Sequence, residues 1–251
     1  MTGDEVIAAL DLPAASRVNR RVPKALLVEH GAPTAADKRH ITESIDQIIW
    51  VAALKPVTVG VAAYRDEVRE YLEVAVVHMT VRTWTKSSRL TELLHRAIPY
   101  PVLALAELAN CVQLSTAHKR RSLGETGKIV LEGDPAVTAV PMAESTYCQE
   151  FASALAIGRQ PQSSLQALYQ GWCDVLISLE AARRTGRFEV LDTAERRAAR
   201  REALRKYDRI EADIVRLRAA AVKERQMAKR VELNLELKRV EAALAAARAQ
   251  L

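Results

Sequence analysis

Between Leu191 and Leu251 the chain has neither Gly nor Pro, and most residues are Ala, Leu, Glu, Lys, Arg or Gln. These side chains lose least on entering a helix. One continuous helix over this stretch would reach roughly 90 Å at about 1.5 Å per residue, more than the rest of the chain can wrap. The arm must therefore project or pair. Two aliphatic seams run along it. Ile210, Ile214 and Leu217 lie between Tyr207 and Ala221, and Leu237, Val240 and Leu244 lead on to Ala247 and Leu251. Each keeps coiled-coil spacing, but they do not share a register across the polar stretch 223–230. The mismatch implies either a phase shift in a coiled coil or a break that folds the arm into an antiparallel hairpin. The period-two alternation of Val231, Leu233, Leu235 and Leu237 leaves a strand as the lesser alternative. Ile210, Ile214, Leu217, Leu237, Val240 and Leu244 are read as partner-binding residues, including for pairing with a second copy.

Charge is unevenly placed. The formal net charge is +6, yet residues 183–251 carry 19 Lys and Arg against 11 Asp and Glu, while residues 1–182 carry 18 against 20. A basic arm suits a nucleic acid or an acidic protein surface. Arg196, Arg197, Arg200 and Arg201 cluster near its start. Two further clusters lie at Arg17, Arg20, Arg21 and Lys24, and at His118, Lys119, Arg120 and Arg121. All are candidate phosphate contacts. The plain alternative is a solvated surface, with helix pairs such as Glu202–Lys206 and a charged strand edge that resists aggregation. Aromatic residues make up only 4%, which predicts an aliphatic core and argues against base-stacking platforms.

The order of elements predicts an α+β fold. A short helix at Asp4–Leu10 leads through a basic connector to a second helix over Lys24–Glu29. Thr34 caps a third, carrying Ile41, Ile45, Ile48 and Ile49. Strand character follows at Ile48–Leu54 and Val57–Val61, broken by Lys55-Pro56. Tyr64–Glu70 reads as a connection or helical turn, Tyr71–Arg82 as the clearest strand and Ser87–Ala97 as a helix. Val102–Glu107 and Cys111–Lys119 read as a hairpin about Leu108-Ala109-Asn110, with short edge strands at Lys128–Leu131 and Val137–Val140. The result is a small mixed sheet with helices on one face. The expected division is an α+β body over 1–142, a helical segment over 143–187 packed on it, and the arm over 188–251. Within that segment Tyr169 and Trp172 are expected in the core.

No motif fixes a reaction. Gly124-Glu125-Thr126-Gly127-Lys128 lacks the first Gly of a phosphate-binding loop, Ser122 standing there, and has Ile129 where Ser or Thr is needed. A nuclease would need converging carboxylates and a Lys; Glu73, Glu107 and Lys119 are the available set, without an acidic-x-Lys triplet on the hairpin. His30, His40, His78, His95 and His118 form no metal-type pair. Cys111, Cys148 and Cys173 are widely spaced and read as buried free thiols of a cytoplasmic protein. The start, MTGDEVIAALDLP, is not a secretory signal, and no apolar run is long enough to span a membrane. No catalytic residue, metal or cofactor is assigned.

The blocks VPKALLVEHGAPTAADKRHI, AALKPVTVGV, RAIPYPVLAL, AHKRRSLGETGK, ALYQGWCDVLISLEAARRTGRF and VELNLELKR, in that order along nearly the whole chain, resemble the bacterial domain-of-unknown-function family 4391. The resemblance implies a setting rather than a chemistry: members look like neighbours of helicases and DNA methyltransferases in restriction-like phage-defence clusters. It transfers no catalytic residues. The expectation is a non-enzymatic accessory subunit that docks such a helicase or methyltransferase and also meets DNA. A metal-dependent nuclease effector and a purely structural homodimer are the alternatives.

Overall fold

The computed structural model describes residues 1–109, 111–125 and 127–251. Met1–Leu176 and Ile177–Leu251 form two compact units. The first opens with α1 (Gly3–Ala9), held by a capping box in which the Thr2 hydroxyl accepts the Glu5 amide and the Glu5 carboxylate accepts the Thr2 amide at 2.7 Å. The basic connector is in fact a strand, β1 (Arg17–Arg21). Its pairing with β2 shifts between Arg17 and Arg20, where Asn19 has φ 47°. A five-residue strand rich in Arg forms because a longer partner offers it a ladder, not because its own propensity asks for one.

Next come α2 (Lys24–Gly31) and α3 (Ala35–Ser44), the latter capped by Thr34, which accepts the Asp37 amide at 3.1 Å. The helix stops before the isoleucines: Ile45 already opens β2 (Ile45–Leu54), where β-branched side chains pack best. The expected strand at Val57–Val61 is instead a single turn, α4 (Pro56–Val59), started by Pro56 and closed by Gly60 at φ 72°. The charged connection at Tyr64–Glu70 is a small hairpin, β3 (Tyr64–Arg65) against β4 (Glu70–Tyr71).

Then β5 (Val74–Val81), α5 (Ser87–Ala97) and β6 (Val102–Leu108) form a strand–helix–strand crossover, so β5 and β6 run parallel. β6 turns back into β7 (Cys111–Thr116), with Ala109 at φ 51°; Asn110 of the expected turn lies outside the described residues. The strand expected through Lys119 divides, since β8 (Lys119–Arg121) pairs separately with β9 (Ile129–Leu131), while β10 (Ala136–Ala139) joins β7. The main sheet is therefore mixed, in the order β1-β2-β5-β6-β7-β10.

Alternation decides which side chains face which helices. Ala75, Val77, Met79, Ala104 and Ala106 pack with Leu27, Ile41, Leu90, Leu93 and Leu94 of α2, α3 and α5. The opposite set, including Val76, Leu103 and Leu105, is equally buried. The structure adds helices to that side. α1 touches β6, and α7 (Leu165–Thr185) sends the Tyr169 hydroxyl to the Val102 carbonyl at 2.8 Å while accepting the Ala117 amide at 2.7 Å. The indole of Trp172 bonds the Leu155 carbonyl of α6 (Cys148–Leu155) at 2.9 Å. Both aromatics are core residues, as expected. Of the cysteines, all free, only Cys173 is buried; Cys148 is half-buried and Cys111 exposed.

In the second unit Gly186, at φ 83°, follows the end of α7 at Thr185. Thr193 caps α8 (Ala194–Lys223), which ends where Glu224 turns extended, and α9 (Met227–Arg248) follows. α8 and α9 pack together as a helical hairpin, so the change of register marks a break. The alternation at Val231–Leu237 is helical: Leu233 and Leu237 are half-buried, whereas Val231 and Leu235 are exposed. Four-residue steps divide such a run into two stripes on one helix.

Candidate functional site

The seam residues meet within the chain. Ile214 and Leu217 are buried, Ile210, Leu237, Val240 and Leu244 are half-buried, and Arg218 bridges to Glu241 across the two helices at 2.8 Å. Their coiled-coil spacing is satisfied by the hairpin itself. The outer apolar side chains of this unit are Val215 and Val222 on α8, and Met227, Val231 and Leu235 on α9, all more than half exposed.

The arginine cluster of the arm is mostly engaged. Arg196 reaches Asp192 at 3.1 Å and Glu189 at 3.4 Å. Arg197 donates to the carbonyls of Leu191 and Asp192 at 3.2 and 2.9 Å. Arg200 is buried, donating to the Glu189 carbonyl and to Ser178, and Arg201 is half-buried. These side chains tie the segment before α8 to its first turns.

The body clusters divide in the same way. Arg20 and Arg21 are exposed on the edge strand β1, whose far side has no ladder partner in the sheet order. Arg17 is half-buried. Lys24 donates to the Ile45 carbonyl at 2.9 Å, just beyond the end of α3. His118 Nδ1 lies 2.6 Å from the Tyr71 hydroxyl. Arg121 pairs with Glu70 at 3.2 Å, and Arg120 is half-buried. Lys119 departs most from the solvated basic run: it is 3% exposed, and its ammonium donates to the carbonyls of His95, at 2.7 Å, and Ile98. It closes the C-terminal end of α5, where orphan carbonyls and the negative end of the dipole attract a cation. Burial pushes its amine down to about 7.

A buried polar pair beside it was not singled out by the sequence. His95 is fully buried, with Nε2 3.0 Å from Ser115 Oγ. Burial, with Lys119 nearby, pushes the imidazole down to about 3, so it is neutral near pH 7. Its place among Leu90, Leu93 and Leu94 on the apolar stripe of α5 was the available signal. A cavity of about 640 Å³ opens here, with Glu92, Arg96, Lys119 and Lys128 in its wall. Its charges are largely matched: Glu92 binds both Arg89 and Arg96 at 2.7 Å, and Lys128 binds Glu125 at 2.8 Å. Gly124, Glu125, Gly127 and Lys128 lie between β8 and β9; Thr126 lies outside the described residues.

The nuclease set does not converge. Glu107 sits opposite Thr80 in the parallel β5–β6 register, while Glu73 precedes β5. About 3.3 Å per residue separates them by roughly 20 Å or more along the sheet. Glu107 binds His78 at 2.7 Å and the Gly3 amide at 2.9 Å, and Glu73 binds Lys55 at 3.0 Å. No group of His, Cys, Asp and Glu suited to a metal occurs among the described residues.

These features define an α+β protein with a helical hairpin, in which most of the candidate charges are engaged within the fold and outward apolar side chains stand on the hairpin as well as on the body, as at Val57, Leu123 and Met142. Among the described residues no helix is long and apolar enough to cross a membrane. The chain matches the family model of domain of unknown function DUF4391 over residues 10–244, and it belongs to that family. No curated protein and no solved structure matches it.

Proposed function

We propose that the chain is a non-enzymatic accessory subunit of a bacterial restriction-like or anti-phage defence system, and that its hairpin unit docks a helicase or DNA methyltransferase. The observation that carries the docking role is the second apolar surface. With the inter-helix seam already filled, Val215, Val222, Met227, Val231 and Leu235 stand more than half exposed on helices that are otherwise strongly charged. A hairpin that served only to solvate the chain would carry polar residues there. The defence setting rests on the family resemblance, not on geometry. Arg20 and Arg21, exposed on an edge strand, are the body residues best placed to touch DNA phosphates alongside the partner.

The test is co-expression of the intact chain with each gene neighbour, followed by size-exclusion chromatography with light scattering. One neighbour should co-elute in fixed stoichiometry, and replacing the five exposed apolar residues with Ser should release it while helix content is kept. A chain that runs alone with every neighbour, as a monomer or a homodimer, sinks the reading. So does Mg²⁺- or Mn²⁺-dependent cleavage of plasmid DNA by the purified chain.

A further inference from the structure

Resting on that reading, we propose that the docking site is the closed end of the α8–α9 hairpin, and that it takes an acidic, amphipathic segment of the partner protein. Three apolar side chains surround the turn: Val222 is 86% exposed, Met227 66% and Val231 51%. Between and beside them stand Lys223, Arg225, Lys229 and Arg230, with Glu224 the only acid in 222–231. Glu224 is occupied by the Gln226 amide of its own turn at 2.8 Å.

The tip is set apart by the coincidence of cations with exposed apolar side chains. On the shaft some cations are matched, as in Arg205–Glu202 at 3.3 Å, Arg216–Asp213 at 2.8 Å and Arg218–Glu241 at 2.8 Å, while others, such as Arg209 and Lys238, are exposed. Among the described residues none of the four tip cations makes an ion pair; Arg230 meets only the Met227 sulfur, at 3.6 Å. Four unneutralised charges interleaved with exposed apolar surface ask for a surface of opposite sign that also brings apolar groups.

The other occupants satisfy half of that requirement. A phosphate backbone would neutralise the cations and leave the apolar side chains against a polar groove. A membrane surface would call for interfacial aromatics, and Val222–Leu251 contains no Trp, Tyr or Phe. A second copy would set like charges against each other. A helix with Asp and Glu beside an apolar stripe meets both needs, and Met227 supplies an adaptable contact.

The experiment places a photo-reactive benzoylphenylalanine at Met227, or at Val215 on the shaft, in the full chain expressed with its gene neighbours. Cross-linked material is identified by sequencing the captured peptide. The expected product from Met227 is a partner segment in which Asp and Glu exceed Lys and Arg and apolar residues fall at helical spacing. Lys223→Gln, Arg225→Gln, Lys229→Gln and Arg230→Gln together should cut its yield about tenfold. Raising salt from about 0.1 to about 0.5 M should cut it several-fold, with helix content unchanged in both cases. Cross-links from Met227 to nucleic acid, lipid, a second copy or a neutral or basic segment overturn the proposal, as does a yield indifferent to the charge changes. A partner captured from Val215 but not from Met227 overturns the tip and leaves the accessory role standing. No partner from either position, together with failure to co-elute, removes both.

Discussion

Lys119 shows how a residue's surroundings can reverse the reading of its neighbours. In the run His118–Arg121 nothing local marks one cation for burial; the deciding groups are the carbonyls of His95 and Ile98, more than twenty positions away. The pH dependence follows from the direction of the shift. Between the folded value of about 7 and the ordinary 10.5, the unfolded chain holds a proton that the folded chain lacks, so raising pH favours the fold. The urea midpoint should therefore climb from about pH 7 to about pH 9, and Lys119→Met should flatten the climb. His95 acts on the acid side. Its folded value of about 3 lies below the ordinary 6.5, so the unfolded chain takes up a proton first and stability falls as pH drops through that window. His95→Gln should remove that share of the acid sensitivity, measured by the same midpoints below about pH 6.

At the scale of elements, legibility followed the source of each element's stability. α5 was readable to its ends because Leu90, Leu93 and Leu94 repeat at helical spacing; β5 was readable as a strand from its β-branched run, although the expected Tyr71–Arg82 narrows to Val74–Val81 and Tyr71 pairs in β4 instead. β1, β3 and β4 were not, because strands of two to five residues that mix charged with other side chains form only through their partners. Of the candidate site, the basic clusters and the hairpin option were legible, but not which cations would be engaged, since that depends on distant carbonyls and carboxylates. Close packing adds a test of its own. A Cβ on Gly31 would lie 2.6 Å from the Leu93 carbonyl and 2.9 Å from Ala97 Cβ, where α2 meets α5. Gly31→Ala should therefore destabilise the chain by about 1–3 kcal/mol in denaturant titration, despite improving helix propensity. The arm arginines give a second test. Replacing Arg196, Arg197, Arg200 and Arg201 with Gln should lower the thermal midpoint rather than act on DNA affinity alone, because Arg197 and Arg200 hold backbone carbonyls before α8.

For the whole molecule, the informative feature is how the long arm bends. The helix breaks at Glu224–Gln226, where Glu224 and Gln226 take extended backbone angles, yet this turn contains neither Gly nor Pro. Every residue in it is able to continue a helix. The bend is therefore held chiefly by burial along the seam, at Ile214, Leu217 and Ala247, with one local hydrogen bond, from the Gln226 amide to the Glu224 carboxylate, as the turn's own contribution. Weakening that seam should let the arm straighten into a rod and trade its outer half with a neighbour's. Ile214→Ala with Leu217→Ala should yield a concentration-dependent dimer by light scattering, and adding Arg225→Pro should return it to monomer. The arm of this chain is in this sense a spring catch: closed, it presents a compact basic end; released by those substitutions, it should become a strand of rope that two copies share.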